Sequence, residues 1–166
     1  VSTRNPPDEV AIAFDKAMAE YFKEKMPRPT IEETAQYYRE RNMMAVIFTV
    51  DTERANGQVR ISNEEVAEEV AKHRDVLIPF ASIDPLREKM GVREARRLIE
   101  EYGIRGFKFH PSSQEFYPND RAAYDLYEVI AEHALPAIFH SGQTGVGARM
   151  RGGGGVRLKY SDPMFL

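Results

Sequence analysis

Residues 135–142 read Leu-Pro-Ala-Ile-Phe-His-Ser-Gly, a short apolar run that ends in a histidine. The run at 135–139 is too short for a helix and lacks polar alternation, so it predicts a strand that is buried on both faces. His140 then lies at the carboxyl end of this strand, which is where parallel α/β enzymes place their chemistry. The stretch therefore predicts both a fold class and a first candidate site.

Three similar apolar runs lie upstream, at residues 43–50, 76–83 and 104–109. The stretches between the runs carry helix signals: Ser62 and Glu65 have capping-box spacing, and Gly103 is a stop signal. The runs begin about 30 residues apart, which is the size of a βα unit. The sequence therefore predicts an α/β fold with a parallel sheet, in one domain without an internal boundary.

Two further ionisable residues are expected to share the candidate site with His140. Lys108 and His110 lie two residues apart at the end of the third run, so their side chains are on the same face. A buried ammonium is costly unless it meets an anion, so Lys108 either binds a substrate group or extends to the solvated rim. His110 precedes Pro111 and either faces substrate or belongs to a turn. His140 could ligate zinc or a similar ion, move protons, or bond a carbonyl.

Residues 143–163 form a glycine-rich segment that contains Gln143, Arg149 and Arg151. Glycine lets backbone amides approach an anion closely, and the guanidinium fork matches a carboxylate or phosphate. The functional interpretation is a handle for an anionic substrate, and the alternative is a disordered lid. Both hold if the lid orders when substrate binds. The Asp84-Pro85 pair, and Thr49 with Asp51, also end strands, but their pattern favours turn chemistry.

Composition excludes several function classes. The net charge of −3 gives no basic footprint for nucleic acid or an anionic membrane. The sequence has no cysteine, so a metal site must use His, Asp, Glu or Lys-derived groups. No apolar stretch approaches the roughly 20 residues of a membrane span. The expected setting is the cytoplasm, and the expected partner is a small molecule, with a homo-oligomer left open.

Three phrases of the sequence together resemble a known family. They are Arg-Gly-Phe-Lys-Phe-His-Pro at 105–111, Phe-Tyr-Pro-Asn-Asp at 116–120 and the stretch at 135–142. They are similar to amidohydrolase-related enzymes, in the branch that includes aminocarboxymuconate-semialdehyde decarboxylase and other enzymes of aromatic-compound catabolism. The resemblance implies a (β/α)₈ TIM barrel with a divalent metal, zinc being the expected ion, at the strand ends. It makes His140 the metal ligand of the fifth strand.

The family also places a His-x-His pair on its first strand, and this sequence contains no such pair. The resemblance therefore implies a partial barrel, strands two to five, with residues 1–166 as a single partial domain that is inactive alone. The implied function is a metal-dependent hydrolase of a carboxylated, in one interpretation aromatic, small molecule. Lys108 and His110 are the predicted catalytic residues, and Arg149, Arg151 and Gln143 the predicted substrate-binding residues.

Three alternatives stay open at the level of sequence. A non-oxidative decarboxylase would use the same fold and the same metal centre. A non-enzymatic flavodoxin-like domain would have an open parallel sheet, which suits the length better and the histidine at the strand end worse. A half-barrel that pairs with a second copy would close eight strands.

Overall fold

The structure, a computed structural model, describes residues 9–25 and 27–166. Four short parallel strands alternate with helices along the chain. The strands are β1 (Ala45–Ile47), β2 (Leu77–Pro79), β3 (Phe107–Phe109) and β4 (Ala137–Phe139). The helices are α1 (Glu9–Phe22), α2 (Ile31–Arg39), α3 (Glu53–Asn56), α4 (Asn63–Ala71), α5 (Glu88–Tyr102), α6 (Pro111–Gln114) and α7 (Tyr124–Glu132). None of the helices in these two ranges is long and apolar enough to cross a membrane.

The strands pair in the order in which they occur in the chain. β1 pairs with β2 and β3 with β4, all in parallel, and one bridge between Ala81 and Phe107 joins the two pairs. The prediction of an α/β fold with parallel strands is confirmed. A flavodoxin-like sheet would instead reverse its strand order at the first strand. The hydrogen-bond ladder between β2 and β3 is short for two reasons. Pro79 has no N–H to donate, and after the strands the side chain of Gln114 lies between His110 and Ile83.

The helix boundaries follow the capping signals of the sequence. The hydroxyl of Ser62 accepts a hydrogen bond from the Glu65 N–H at the start of α4. Gly103 ends α5 in the left-handed conformation, with φ of 67°, which glycine adopts at no steric cost. These local signals do not depend on distant contacts, which is why the sequence predicts them correctly.

Strand β3 lies at the centre of the hydrophobic core. Phe107 and Phe109 are fully buried and belong to one core cluster with residues of α5 and α7. The Phe109 ring stacks on Phe139 at a centroid distance of 5.0 Å. Because side chains alternate along a strand, Lys108 points to the opposite face of the sheet. The same alternation carries His110 to that opposite face.

Burial of the strands on both faces, as predicted from the apolar runs, is wrong for three of the four. β3 alone is buried throughout, whereas Val46 of β1, half-buried Ile78 of β2 and Ile138 of β4 are accessible to solvent. The core clusters contain residues of the helices and of the strand side chains that face them. The accessible side chains lie on the opposite face, which is also the face that carries Lys108.

Replacing Gly106 with alanine should destabilise the protein by about 1–3 kcal/mol, the usual cost of overpacking a core. A Cβ at this position would lie 2.3 Å from the ring of Phe80, which is itself buried. Urea unfolding of the variant measures the loss. In the double variant Gly106→Ala, Phe80→Leu the two losses should not add, because the smaller side chain relieves the clash. Simple additivity would contradict this explanation.

Candidate functional site

The two histidines at the strand ends meet face to face. His110 follows β3 and His140 follows β4, and the register that aligns Phe109 with Phe139 places the imidazoles side by side. Their ring centroids lie 4.1 Å apart with the planes 7° from parallel. The backbone N–H of His140 donates to the Phe109 carbonyl at 3.0 Å, so the pairing of the two strands continues up to the site.

The surroundings of His110 keep its ring neutral. Burial, with smaller contributions from the charges of His140 and Lys108, lowers the pKa of His110 to about 4. The fully buried Ser112 hydroxyl lies 3.1 Å from Nδ1 of His110. When this hydroxyl donates to Nδ1, the single ring proton resides on Nε2. At neutral pH the ring then has one N–H to give.

The Nε2 atom of His140 is buried and has no hydrogen-bond partner among the described residues. Burial, and to a lesser degree the Lys108 ammonium, lowers the pKa of His140, so this imidazole is held toward its neutral form. A neutral imidazole nitrogen with an uncommitted lone pair has the chemistry of a zinc or manganese ligand. His140 therefore fits the metal role that the resemblance implies.

The rest of a metal site is not present in ranges 9–25 and 27–166. No group of three or more His, Asp or Glu side chains there could hold an ion. His110 does not add a second ligand in this arrangement, because the lone pairs of two parallel rings lie in parallel planes and do not converge. The described residues thus offer a divalent ion one suitable ligand, His140.

Lys108 is a buried cation without an acidic partner. Its side chain lies on the face of the sheet that carries the histidines, opposite to the rings of Phe107 and Phe109. The residue is 8% exposed. Nζ lies 5.7 Å from the centre of the Phe48 ring. Burial lowers the pKa of Lys108, and no described carboxylate opposes this shift. Lys108, His110 and His140, here called the strand-end cluster, form a site that favours an anion.

Two buried carboxylates near the ends of β1 and β2 belong to a charge network that the sequence did not reveal. Asp84 caps the turn that follows it, as predicted, but it also pairs with Arg54 at 2.5 Å. Asp51 accepts a hydrogen bond from the Asp84 N–H, and Arg60 and Arg87 lie within 3.9 Å of its carboxylate. Since every acid here has a cation beside it, the network balances its own charge and leaves Lys108 unpaired.

The predicted substrate-binding residues lie apart from the strand-end cluster. Gln143, Arg149 and Arg151 are exposed, and within the described ranges no hydrogen bond or ion pair joins them to it. Instead, the backbone N–H of Arg157 donates to the Ser112 carbonyl at 2.7 Å. The glycine-rich segment is therefore tied through Arg157 to the chain that follows His110. The side chains of Arg149 and Arg151 are exposed to solvent, whereas the guanidinium of Arg157 pairs with Glu115 at 3.5 Å.

The second tie closes the segment on itself. The Gly142 N–H donates to the Ser161 carbonyl at 2.6 Å, and the Ser161 hydroxyl donates to the Gly142 carbonyl at 2.8 Å. The two ends of the segment thus meet directly after His140. This closure fixes where the segment leaves β4 and where it returns, next to the strand-end cluster.

Two comparisons with known proteins give little information on this chain. No curated protein matches the chain. Among solved structures, 5-carboxyvanillate decarboxylase from Novosphingobium aromaticivorans, with bound manganese and 3-methoxy-4-hydroxy-5-nitrobenzoic acid, is similar with a TM-score of 0.45 and 14% identity. The alignment covers 84% of this chain and 40% of the decarboxylase, so the chain spans about two fifths of that protein's length.

A comparison with models of protein families identifies the family of this chain. The model described as Amidohydrolase matches residues 13–165, which is nearly the whole chain. The match confirms the resemblance to amidohydrolase-related enzymes that residues 105–111, 116–120 and 135–142 carry. The chain belongs to the amidohydrolase family.

Proposed function

We propose that the chain is part of a metal-dependent amidohydrolase-type hydrolase that acts on a carboxylated small molecule. In this proposal β1 to β4 are the second to fifth strands of a (β/α)₈ barrel, and residues 1–166 form a single partial domain. Family membership, the sequential parallel strand order and the partly exposed apolar side chains on the face that carries Lys108 support the proposal. That face would become the barrel interior, and the site would lie at the carboxyl ends of the strands.

The observation that carries the proposal is the strand-end cluster itself. It brings together one ammonium and two imidazoles, and burial has removed much of the solvent from Lys108. A substrate carboxylate would supply the charge that Lys108 lacks and would be oriented by it. Arg149, Arg151 and Gln143 would contact further polar groups of the substrate if the glycine-rich segment moves inward.

The roles of the histidines follow from their protonation states. His140 would hold the divalent ion through Nε2, with zinc as the expected ion. Such an ion, when bound, lowers the pKa of its water to about 7 and polarises a substrate oxygen. His110, neutral and oriented by Ser112, would hold a proton at Nε2 for the reacting atom. Phe48 would limit the access of water to Lys108.

A second candidate is a non-oxidative decarboxylase with the same residues. Its support is the buried Lys108 ammonium beside the two imidazoles, which could hold the carboxylate that leaves as CO₂. Decarboxylation needs an anchored carboxylate, which Lys108 would hold, and the neutral His110 ring would donate a hydrogen bond from Nε2 to the substrate. Assays of CO₂ release and of amide or ester hydrolysis, run on the complete barrel with aromatic carboxylates and added metal, would separate the two reactions.

The metal role of His140 can be tested without an assay of activity. Mn²⁺ is paramagnetic, so titration into the protein should broaden the ring signals of His140 before those of other histidines. In His140→Ala the affinity for Mn²⁺ should weaken at least about tenfold, since a ligand is lost. His133→Ala is the matched control, because His133 caps the end of α7 and bonds the Val129 carbonyl. Equal broadening of the His110 ring signals in wild type and His140→Ala would refute the assignment, because the rings of His110 and His140 stack at a centroid distance of 4.1 Å in the wild type.

A further inference from the structure

The hydrogen-bond ladder between β2 and β3 stops one rung short of His110. The Lys108 N–H donates to the Ala81 carbonyl at 2.8 Å, which is a regular parallel rung. Since rungs alternate along a parallel pair, the next one would join the His110 N–H to the Ile83 carbonyl. The structure does not make this bond directly. Both groups bind the side chain of Gln114 instead.

The carboxamide of Gln114 takes the place of the missing rung. Its Oε1 accepts a hydrogen bond from the His110 N–H at 2.7 Å, and its Nε2 donates to the Ile83 carbonyl at 3.3 Å. The residue is completely buried, so water does not compete for either bond. A side-chain amide has the same donor and acceptor as a peptide group, and here it is inserted between two strands as a peptide group of a further strand would be.

The guanidinium of Arg54 also bridges the chain segments that follow β2 and β3, beyond the bridge made by the Gln114 carboxamide. It donates to the backbone carbonyl of Gln114 and to the carboxylate of Asp84. Asp84 belongs to the chain that leaves β2, and Gln114 to the chain that leaves β3. Two planar polar groups in series therefore hold these chain segments apart where the strands end.

On the other side of β3 the ladder stays intact, as the bond from the His140 N–H to Phe109 shows. The residue between the two ladders, His110, is consequently kept away from β2 and close to β4. We infer that Gln114 is a positioning residue: its carboxamide, inserted between β2 and β3, determines where the His110 ring lies and so produces its stack on His140. The catalytic relevance of this role rests on the proposed function, because it assumes that His110 acts in that site.

A simple helix cap does not account for the two bonds. Gln114 lies four residues after His110, and a cap of the single turn α6 would need only the bond between Oε1 and the His110 N–H. The bond from Nε2 to Ile83 reaches a residue 31 positions away, at the exit of β2. It adds nothing to the cap but defines the spacing between the strands.

The test is Gln114→Met, which keeps a side chain of similar length but removes both the donor and the acceptor. In the wild type the ring protons of His110 and His140 should give a nuclear Overhauser cross-peak, because their centroids are 4.1 Å apart. The inference predicts loss of this cross-peak in Gln114→Met. Gln36→Met is the matched control: Gln36 is exposed on α2 and bonds Glu40, so the cross-peak should persist.

Gln114→Asn keeps the amide but shortens the side chain by one methylene, so it reaches one of its two partners only. The cross-peak should be lost in this variant too, and it serves as the decisive one if Gln114→Met does not fold. A folded variant of either kind that keeps the cross-peak would overturn the inference. No metal or substrate enters this measurement. A failure of Mn²⁺ to bind at His140 would therefore count against the proposed function and leave the role of Gln114 standing.

Discussion

Substitution of Lys108 by methionine is expected to weaken the binding of an aromatic carboxylate by roughly 100-fold, which corresponds to about 3 kcal/mol. The ammonium of Lys108 is the charge in the strand-end cluster that a carboxylate would neutralise, and methionine fills the same space without it. A titration of benzoate or 4-hydroxybenzoate, followed through the ring signals of His110 and His140, measures the affinity. Unchanged affinity in Lys108→Met would refute the role of Lys108 as the substrate anchor.

The same substitution should stabilise the protein by about 1–2 kcal/mol, because it removes a buried charge that has no acidic partner. The size of this gain depends on pH. Burial lowers the pKa of Lys108 in the folded state, so the unfolded state holds the proton more tightly and wild-type stability rises as the pH increases toward 10.5. The gain in stability of Lys108→Met over the wild type should therefore become smaller as the pH rises toward 10.5. Lys72→Met, at an exposed lysine paired with Glu69, is the control and should show neither effect.

Acidification should destabilise the metal-free protein through His110. Its pKa is about 4 in the folded state against an ordinary value of 6.5, so the unfolded state binds the proton first as the pH falls. Stability contributed by the neutral ring is complete above pH 6.5, declines between 6.5 and about 4, and changes no further below that. The difference between the folded and unfolded pKa values limits the loss in the free energy of unfolding to about 3 kcal/mol. The partial exposure of the ring reduces the expected loss to about 2 kcal/mol.

Urea unfolding at pH 7 and at pH 4 measures this loss, with His110→Asn as the comparison. The carboxylates of the protein titrate in both proteins alike, so the difference between the two pH dependences isolates His110. The variant should lose about 2 kcal/mol less than the wild type between these pH values. Parallel losses would mean that the stacked ring accepts a proton without cost, which would contradict the effect of its burial.

The sequence predicts those parts of the fold that depend on neighbours along the chain. The alternation of β3 places Lys108 and His110 on one face, and the rule that parallel strands end at one edge brings His140 beside them. The structure shows this proximity. The roles of the three residues in metal binding and catalysis stay predictions. The sequence also predicts the ends of helices, such as Gly103, from single residues with strong conformational preferences.

The remaining features depend on contacts between distant segments. Gln114 reaches Ile83 across 31 positions and Arg54 reaches Asp84 across 30, and neither spacing has a local signal. The site around His110 was therefore predicted without the side chains that position it. The paths of Arg149 and Arg151 are equally hidden, because the glycines around them permit backbone conformations that other residues rarely adopt.

The division of β3 between two faces has a consequence for how such a protein evolves. Phe107 and Phe109 belong to the hydrophobic core, whereas Lys108 and His110, which alternate with them along the strand, do not. Selection for a new substrate can therefore exchange residues 108 and 110 at little cost to folding. A scaffold of this kind keeps its aromatic centre while it diversifies its chemistry, one alternate position at a time.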